Sequence, residues 1–160
     1  MTKENILQIL QEVPDPEIPV LTIEDLGIIR DVKIGEKEHI EVIITPTYSG
    51  CPAMDMIEVN IKSALQSAGY NNILVTTVLA PAWTTDWLTE EGKRKLKAYG
   101  IAPPIGTVNK AALLGEEANI ECPQCGSTNT KIISQFGSTA CKSLFKCLDC
   151  LEPFDYFKCH

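Results

Sequence analysis

Apolar residues in the first half of the chain change spacing in a regular order. Ile6, Leu7, Ile9, Leu10 and Val13 recur at helical intervals, which predicts a short amphipathic helix over residues 3–12. Pro14-Asp15-Pro16-Glu17-Ile18-Pro19 ends it, because each proline lacks an N–H and holds its predecessor extended. Leu21 to Gly27 reads as a turn or a single helical turn. Ile28–Ile34 and His39–Thr45 read as strands joined by Gly35-Glu36-Lys37-Glu38, the pattern of a hairpin. Met54, Ile57, Ile61, Ala64, Leu65 and Ala68 return to helical spacing, and Gly69 suits the position just past a helix end. Ile73–Leu79 is a β-branched third strand. The order α-β-β-α-β predicts a small α+β domain, three strands with helices on one face.

Beyond it, Ala80 to Leu88 carries two tryptophans in a turn, and Thr89 can cap a further helix. Glu90 and Glu91 in its first turn, with Lys93, Arg94, Lys95 and Lys97 later, follow the helix dipole. That arrangement accounts for the basic cluster without a nucleic-acid partner. Gly100 closes the helix. Pro103-Pro104 and two glycines mark residues 101–120 as a linker. The expected division is a domain over 1–100, a linker over 101–120 and a small cysteine-rich domain over 121–160.

Charge then narrows the function classes. A net charge of −7 and a pI near 4.8 oppose a general phosphate-binding surface, so no nucleic-acid partner is expected. No apolar run approaches the ~20 residues of a membrane span, and the N-terminus shows no signal-peptide core. The expected location is the cytoplasm, where thiols stay reduced and cysteines serve as metal ligands or reactive groups rather than disulfides.

Six of the seven cysteines lie between positions 122 and 159. Cys122-Pro-Gln-Cys125 and Cys147-Leu-Asp-Cys150 are two C-x2-C pairs separated by 21 residues. Each can form a knuckle whose turn amides stabilise thiolates, and two knuckles supply the four-sulfur tetrahedron that zinc prefers. Iron in a rubredoxin-like site uses similar knuckles, so spacing leaves the metal open. Cys141, Cys159 and His160 lie nearby as buried or outer groups, or as substitute ligands; His39 reads as a surface histidine.

Cys51 stands apart. It lies in Thr45-Pro46-Thr47-Tyr48-Ser49-Gly50-Cys51-Pro52, between a strand and a helix. Pro52 suits a first helical position, which puts Cys51 at or next to the N-cap, where free amides favour a thiolate. Local physics leaves two readings, a small buried cysteine or a reactive thiol.

Asp15-Pro16-Glu17-Ile18-Pro19, Asp25-Leu26-Gly27 and the Thr45–Pro52 stretch resemble the signature of a family of small iron–sulfur and metal-centre assembly factors, which includes the SufT-like proteins. Trp83 to Thr89, Lys95 to Pro104, and the tail from Phe136 through Cys141-Lys142 to His160 are similar to its PaaD (or PaaJ) branch from bacterial phenylacetate degradation. The resemblance covers nearly the whole chain. It implies an assembly-factor-like α/β domain followed by a helix, a linker and a C-terminal zinc ribbon. It implies a role beside the multicomponent phenylacetyl-CoA epoxidase, with its oxygenase and reductase subunits as partners and homodimerisation as a further option. The one Glu-x-x-His run, Glu36 to His39, falls at the strand connection and not in the helical pair that a di-iron centre needs, and the sequence has no dinucleotide glycine fingerprint. The expectation is therefore no enzyme but a maturation factor, the alternative being a structural adaptor. Carried over, Cys51 is the transient iron or iron–sulfur contact, and Asp15 and Glu17 offer an oxygen ligand or a hydrogen bond; Cys122, Cys125, Cys147 and Cys150 hold structural zinc.

Overall fold

A computed structural model describes residues 1–105 and 120–158. Helix α1, Lys3–Leu10, starts at Thr2, whose side chain accepts a hydrogen bond from the Asn5 amide, and it buries Ile6 and Leu10. Strand β1, Ile29–Ile34, pairs antiparallel with β2, Ile40–Ile44. The connection is a 3₁₀ turn in which Lys37 and Glu38 take positive φ values of 54° and 57°. Helix α2, Ala53–Ser67, then crosses over to β3, Ile73–Thr77, which pairs parallel with β2. A parallel neighbour requires such a crossover, since no tight turn can reverse the chain twice.

The sheet order is β1-β2-β3. Alternation along β2 buries Ile40, Val42 and Ile44, and the four-residue spacing of Ala53, Ile57, Ile61 and Leu65 makes one buried stripe on α2. Each fully buried aliphatic side chain here contributes about 1.5–3 kcal/mol. Gly69 ends α2 with φ of 96°, and the Tyr70 amide returns to the Leu65 carbonyl.

Two compact units divide the described chain: Met1–Trp83 with Trp87–Gly92, and Thr84–Asp86 with the described residues from Lys93 onward. Within the first, Asp25-Leu26-Gly27 is the seat of the tryptophan turn. The Trp83 indole N–H donates to the Leu26 carbonyl at 2.7 Å, and the Arg30 guanidinium lies 4.0 Å from the Trp87 ring centre. The Asp25 carbonyl and carboxylate accept from the Thr89 amide and hydroxyl at 2.9 and 3.2 Å. Gly27, at φ of 69°, lies so close under Trp87 that a Cβ would fall 2.8 Å from the Trp87 Cβ. Thr89 caps α3, Glu90–Tyr99, by accepting from the Gly92 amide.

The second unit holds a four-stranded sheet of order β4-β7-β6-β5, formed by Ile101–Ala102, Pro153–Phe157, Lys142–Cys147 and Thr130–Ser134. Its core gathers Ala102, Ile120, Cys122, Phe145, Cys147 and Phe154, with Phe145 stacked on Phe154 at 5.9 Å. The α+β class, with an assembly-factor-like unit and a C-terminal ribbon, is the one expected. Ile101–Ala102 belongs to the ribbon sheet, pairing parallel with β7. Most of the expected linker, 106–119, lies outside the described residues, as do Cys159 and His160. We propose the division 1–100, 101–120 and 121–160 as the domain limits, with β4 reaching forward into the ribbon sheet. Among the described residues no helix is long and apolar enough to cross a membrane.

Candidate metal centres

The four paired cysteines converge. Cys122 Sγ lies 3.7 Å from Cys150 Sγ, Cys125 Sγ lies 3.6 Å from Cys147 Sγ, and all four sulfurs fall within 4.8 Å of one another. A tetrahedral ion with metal–sulfur bonds of about 2.3 Å needs sulfurs ~3.8 Å apart, so the quartet fits such an ion. Each knuckle is shaped by its own turn. The Gly126 amide donates to the Cys122 carbonyl at 2.9 Å with Gly126 at φ of 75°, and the Cys147 amide donates to the Glu152 carbonyl at 2.9 Å.

Electrostatics favour a cation there. The backbone amide of Cys150 lowers the Cys147 thiol to about 7. Cys150 also receives an amide, that of Glu152, but desolvation and the neighbouring sulfurs, Cys147 first, push it up to about 12. Four sulfurs this close ionise together only around a positive ion, which displaces their protons on binding. Cys122 and Cys147 are buried, whereas Cys125 and Cys150 are exposed. Cys141 is buried outside the quartet, its sulfur 2.9 Å from the Thr139 hydroxyl. His39 is half-buried and faces the Asn72 side chain at 3.1 Å.

The second site starts from the β2–α2 turn. Pro52 is the N-cap of α2 rather than its first residue, and Cys51 precedes it. The turn is tied by the Cys51 amide to the Tyr48 carbonyl at 3.2 Å and the Met54 amide to the Cys51 carbonyl at 3.3 Å, with Gly50 at φ of 75°. The expectation of a favoured thiolate needs correction. Burial is the largest influence on Cys51 and raises its pKa; the Ala53 amide and the Tyr48 side chain pull it down, and the charges of Glu17 and Asp15 raise it further. Helix-end amides are present, but desolvation of a half-buried sulfur outweighs them.

Asp15 is buried and its Oδ1 accepts from the amides of Glu17 and Ile18 at 2.9 and 2.7 Å. These bonds hold the loop, with the Asp15 amide donating to the Leu21 carbonyl at 2.8 Å. Asp15, Glu17 and Cys51 thus share one electrostatic neighbourhood. Among the described residues, however, only the ribbon quartet brings three or more ligand atoms together as a metal-holding group. Thr45, at the start of the same turn, is 1% exposed, and its hydroxyl is the one buried side-chain polar atom among the described residues with no hydrogen-bond partner. Its place in the motif is visible in the sequence; its missing partner is not.

Comparison with known proteins divides along the same line. Residues 3–75 match the family model of an iron–sulfur cluster assembly protein, and residues 106–158 match that of the PaaD zinc beta ribbon domain. A Porphyromonas gingivalis protein named as an Fe-S protein maturation auxiliary factor is 34% identical over 59% of this chain and 90% of its own length. A Bacillus anthracis structure of a domain of unknown function, DUF59, aligns with a TM-score of 0.55 at 28% identity, covering 59% of this chain and 90% of that one. An Escherichia coli protein named as a subunit of 1,2-phenylacetyl-CoA epoxidase spans both parts, 50% identical over 96% of this chain and 91% of its own length. The chain therefore belongs to the same family as that Escherichia coli protein, and in it an iron–sulfur cluster assembly domain precedes a PaaD zinc ribbon.

Proposed function

We propose that this chain is a non-catalytic accessory factor, cytoplasmic, that helps mature the iron or iron–sulfur centres of a phenylacetyl-CoA epoxidase, working with its oxygenase or reductase subunits, alone or as a homodimer. The observation that carries this reading is the environment of Cys51. It is the single cysteine of the half that matches the assembly family, and the carboxylates of Asp15 and Glu17 are near enough to influence it. A buried hydroxyl without a partner costs about 1–3 kcal/mol, and Thr45 places one in the same turn, which supports a ligand there.

The chemistry follows from the raised pKa. Cys51 waits as a thiol. An arriving iron cation offsets the two carboxylate charges and displaces the thiol proton as the sulfur binds, while Asp15 or Glu17 supplies oxygen. The free energy of removing that proton subtracts from affinity, so the cargo is held briefly and passed on. The ribbon quartet holds zinc, whose contribution is structural: about forty residues bury too little surface to fold without it.

Complementation tests the reading. Cells carrying only Cys51→Ser are expected to hold folded, zinc-loaded protein while metal occupancy of the epoxidase subunits falls severalfold; normal occupancy and turnover would sink it. The competing reading is a structural adaptor, favoured by the name of the Escherichia coli relative that spans both units. It expects stoichiometric co-purification with the oxygenase and indifference to Cys51.

A further inference from the structure

The two cysteine knuckles are joined by a side chain that is not a ligand. Asp149 lies inside the second C-x2-C, between Cys147 and Cys150. One of its carboxylate oxygens accepts from the Ser127 hydroxyl and the other from the Asn129 side-chain amide at 3.0 Å. Ser127 and Asn129 follow the first knuckle directly. The Ser127 carbonyl accepts from the Cys122 amide at 2.8 Å, and its hydroxyl oxygen accepts from the Asn129 amide at 3.0 Å. Beside them the Leu148 amide donates to the Asn129 carbonyl at 2.9 Å.

A carboxylate is a poor neighbour for this centre on charge alone. Four thiolates around a divalent ion leave two negative charges, and a third close by is repelled. What Asp149 supplies is two hydrogen bonds from one rigid group to the opposite knuckle. The quartet needs this because its sides are unequal, Cys122 and Cys147 buried and Cys125 and Cys150 exposed. Loss of metal to a competitor begins at an exposed sulfur: one metal–sulfur bond breaks, the competitor's donor takes its place, and the freed sulfur accepts a proton. If the knuckles stay together, the sulfur remains within reach and rebinds.

We infer that Asp149 is a positioning residue, a clasp to Ser127 and Asn129 that keeps the exposed side of the quartet closed and sets how fast the metal leaves. This rests on the reading of the quartet as a zinc site. Hydrogen-bond partners of metal ligands and their neighbours typically govern 10–100-fold in metal affinity. Asp149→Ala in the zinc-loaded full chain is expected to release zinc to a chromogenic chelator about tenfold faster or more. Asp149→Asn, which keeps one acceptor, should fall between, and covers the case in which the alanine variant does not fold. Adding Ser127→Ala to Asp149→Ala should change little, because the two act through one contact. With cobalt in place of zinc, the ligand-field spectrum of both Asp149 variants should stay that of a four-thiolate tetrahedron, which separates a faster exit from a damaged site. A full chain that takes up no metal overturns both the zinc reading and the clasp. Wild-type release rates in both Asp149 variants, or a Ser127→Ala effect that adds in full, overturn the clasp alone.

Discussion

The two cysteine sites of this chain differ in how many groups each brings and in what surrounds them. The ribbon assembles four sulfurs within 4.8 Å, each knuckle shaped by its own turn. The β2–α2 turn offers one half-buried thiol, and its electrostatic neighbours include two carboxylates that oppose ionisation. Both present amides to sulfur. Their difference shows that a helix start does not by itself make a thiolate; the sum of burial, amides and nearby charge decides. Four sulfurs can complete a tetrahedral shell from one chain, whereas a lone thiol cannot.

The largest effect should come from taking metal away. Stripping the loaded full chain with a strong chelator is expected to cost residues 120–158 their amide-exchange protection, while β1, β2 and β3 keep theirs. Structural zinc in small domains contributes about 10–16 kcal/mol of folding free energy. Loss of protection in both units, or in neither, would break the contrast between a metal-built unit and one built by burial.

A smaller effect tests the first unit by itself. Gly27→Ala puts a methyl group against Trp87 at a positive φ, and should destabilise that unit by about 2–4 kcal/mol in denaturant titrations followed by tryptophan fluorescence. The ribbon's metal content should not change. A variant as stable as the parent would mean that the tryptophan turn is not seated on the Asp25–Gly27 segment.

The smallest effect sharpens the difference in thiol chemistry. Because the Cys51 pKa is raised, its thiolate fraction at neutral pH lies below that of an ordinary cysteine, and iodoacetamide should alkylate it more slowly than an unfolded peptide carrying the same residue. Glu17→Gln removes a charge that raises the pKa, so the rate should rise a few fold and its pH profile move to lower pH. Asp15 is the less clean probe, since its carboxylate also holds the loop amides. Alkylation of the parent faster than the peptide would show an activated thiolate and reverse the comparison.

Particular residues show how far the chain could be read without its fold. The strand runs, the α2 stripe of Ile57, Ile61 and Leu65, the Gly69 stop and the Thr89 cap are set by contacts within a few residues, and they form where spacing places them. The C-x2-C pairs announce a shared site because two-residue spacing builds a knuckle wherever it occurs. Strands β4 and β7 left no comparable trace. Ile101–Ala102 is two residues long, and Pro153–Phe157 is dense in aromatics without clear alternation, so only pairing defines them. The use of Asp25-Leu26-Gly27 as a seat was equally hidden, because the groups that occupy it lie far along the chain.

The sequence by itself determined the order of elements from α1 to α3, the two C-x2-C pairs of the ribbon and the isolation of Cys51 from the other cysteines. All three follow from local geometry and counting. The tertiary structure alone decided that burial raises the Cys51 pKa, that the Thr45 hydroxyl is buried without a partner, and that Asp149 bridges the knuckles. Solvation and charge at a point depend on every group that folding brings near it, and spacing along the chain does not record them.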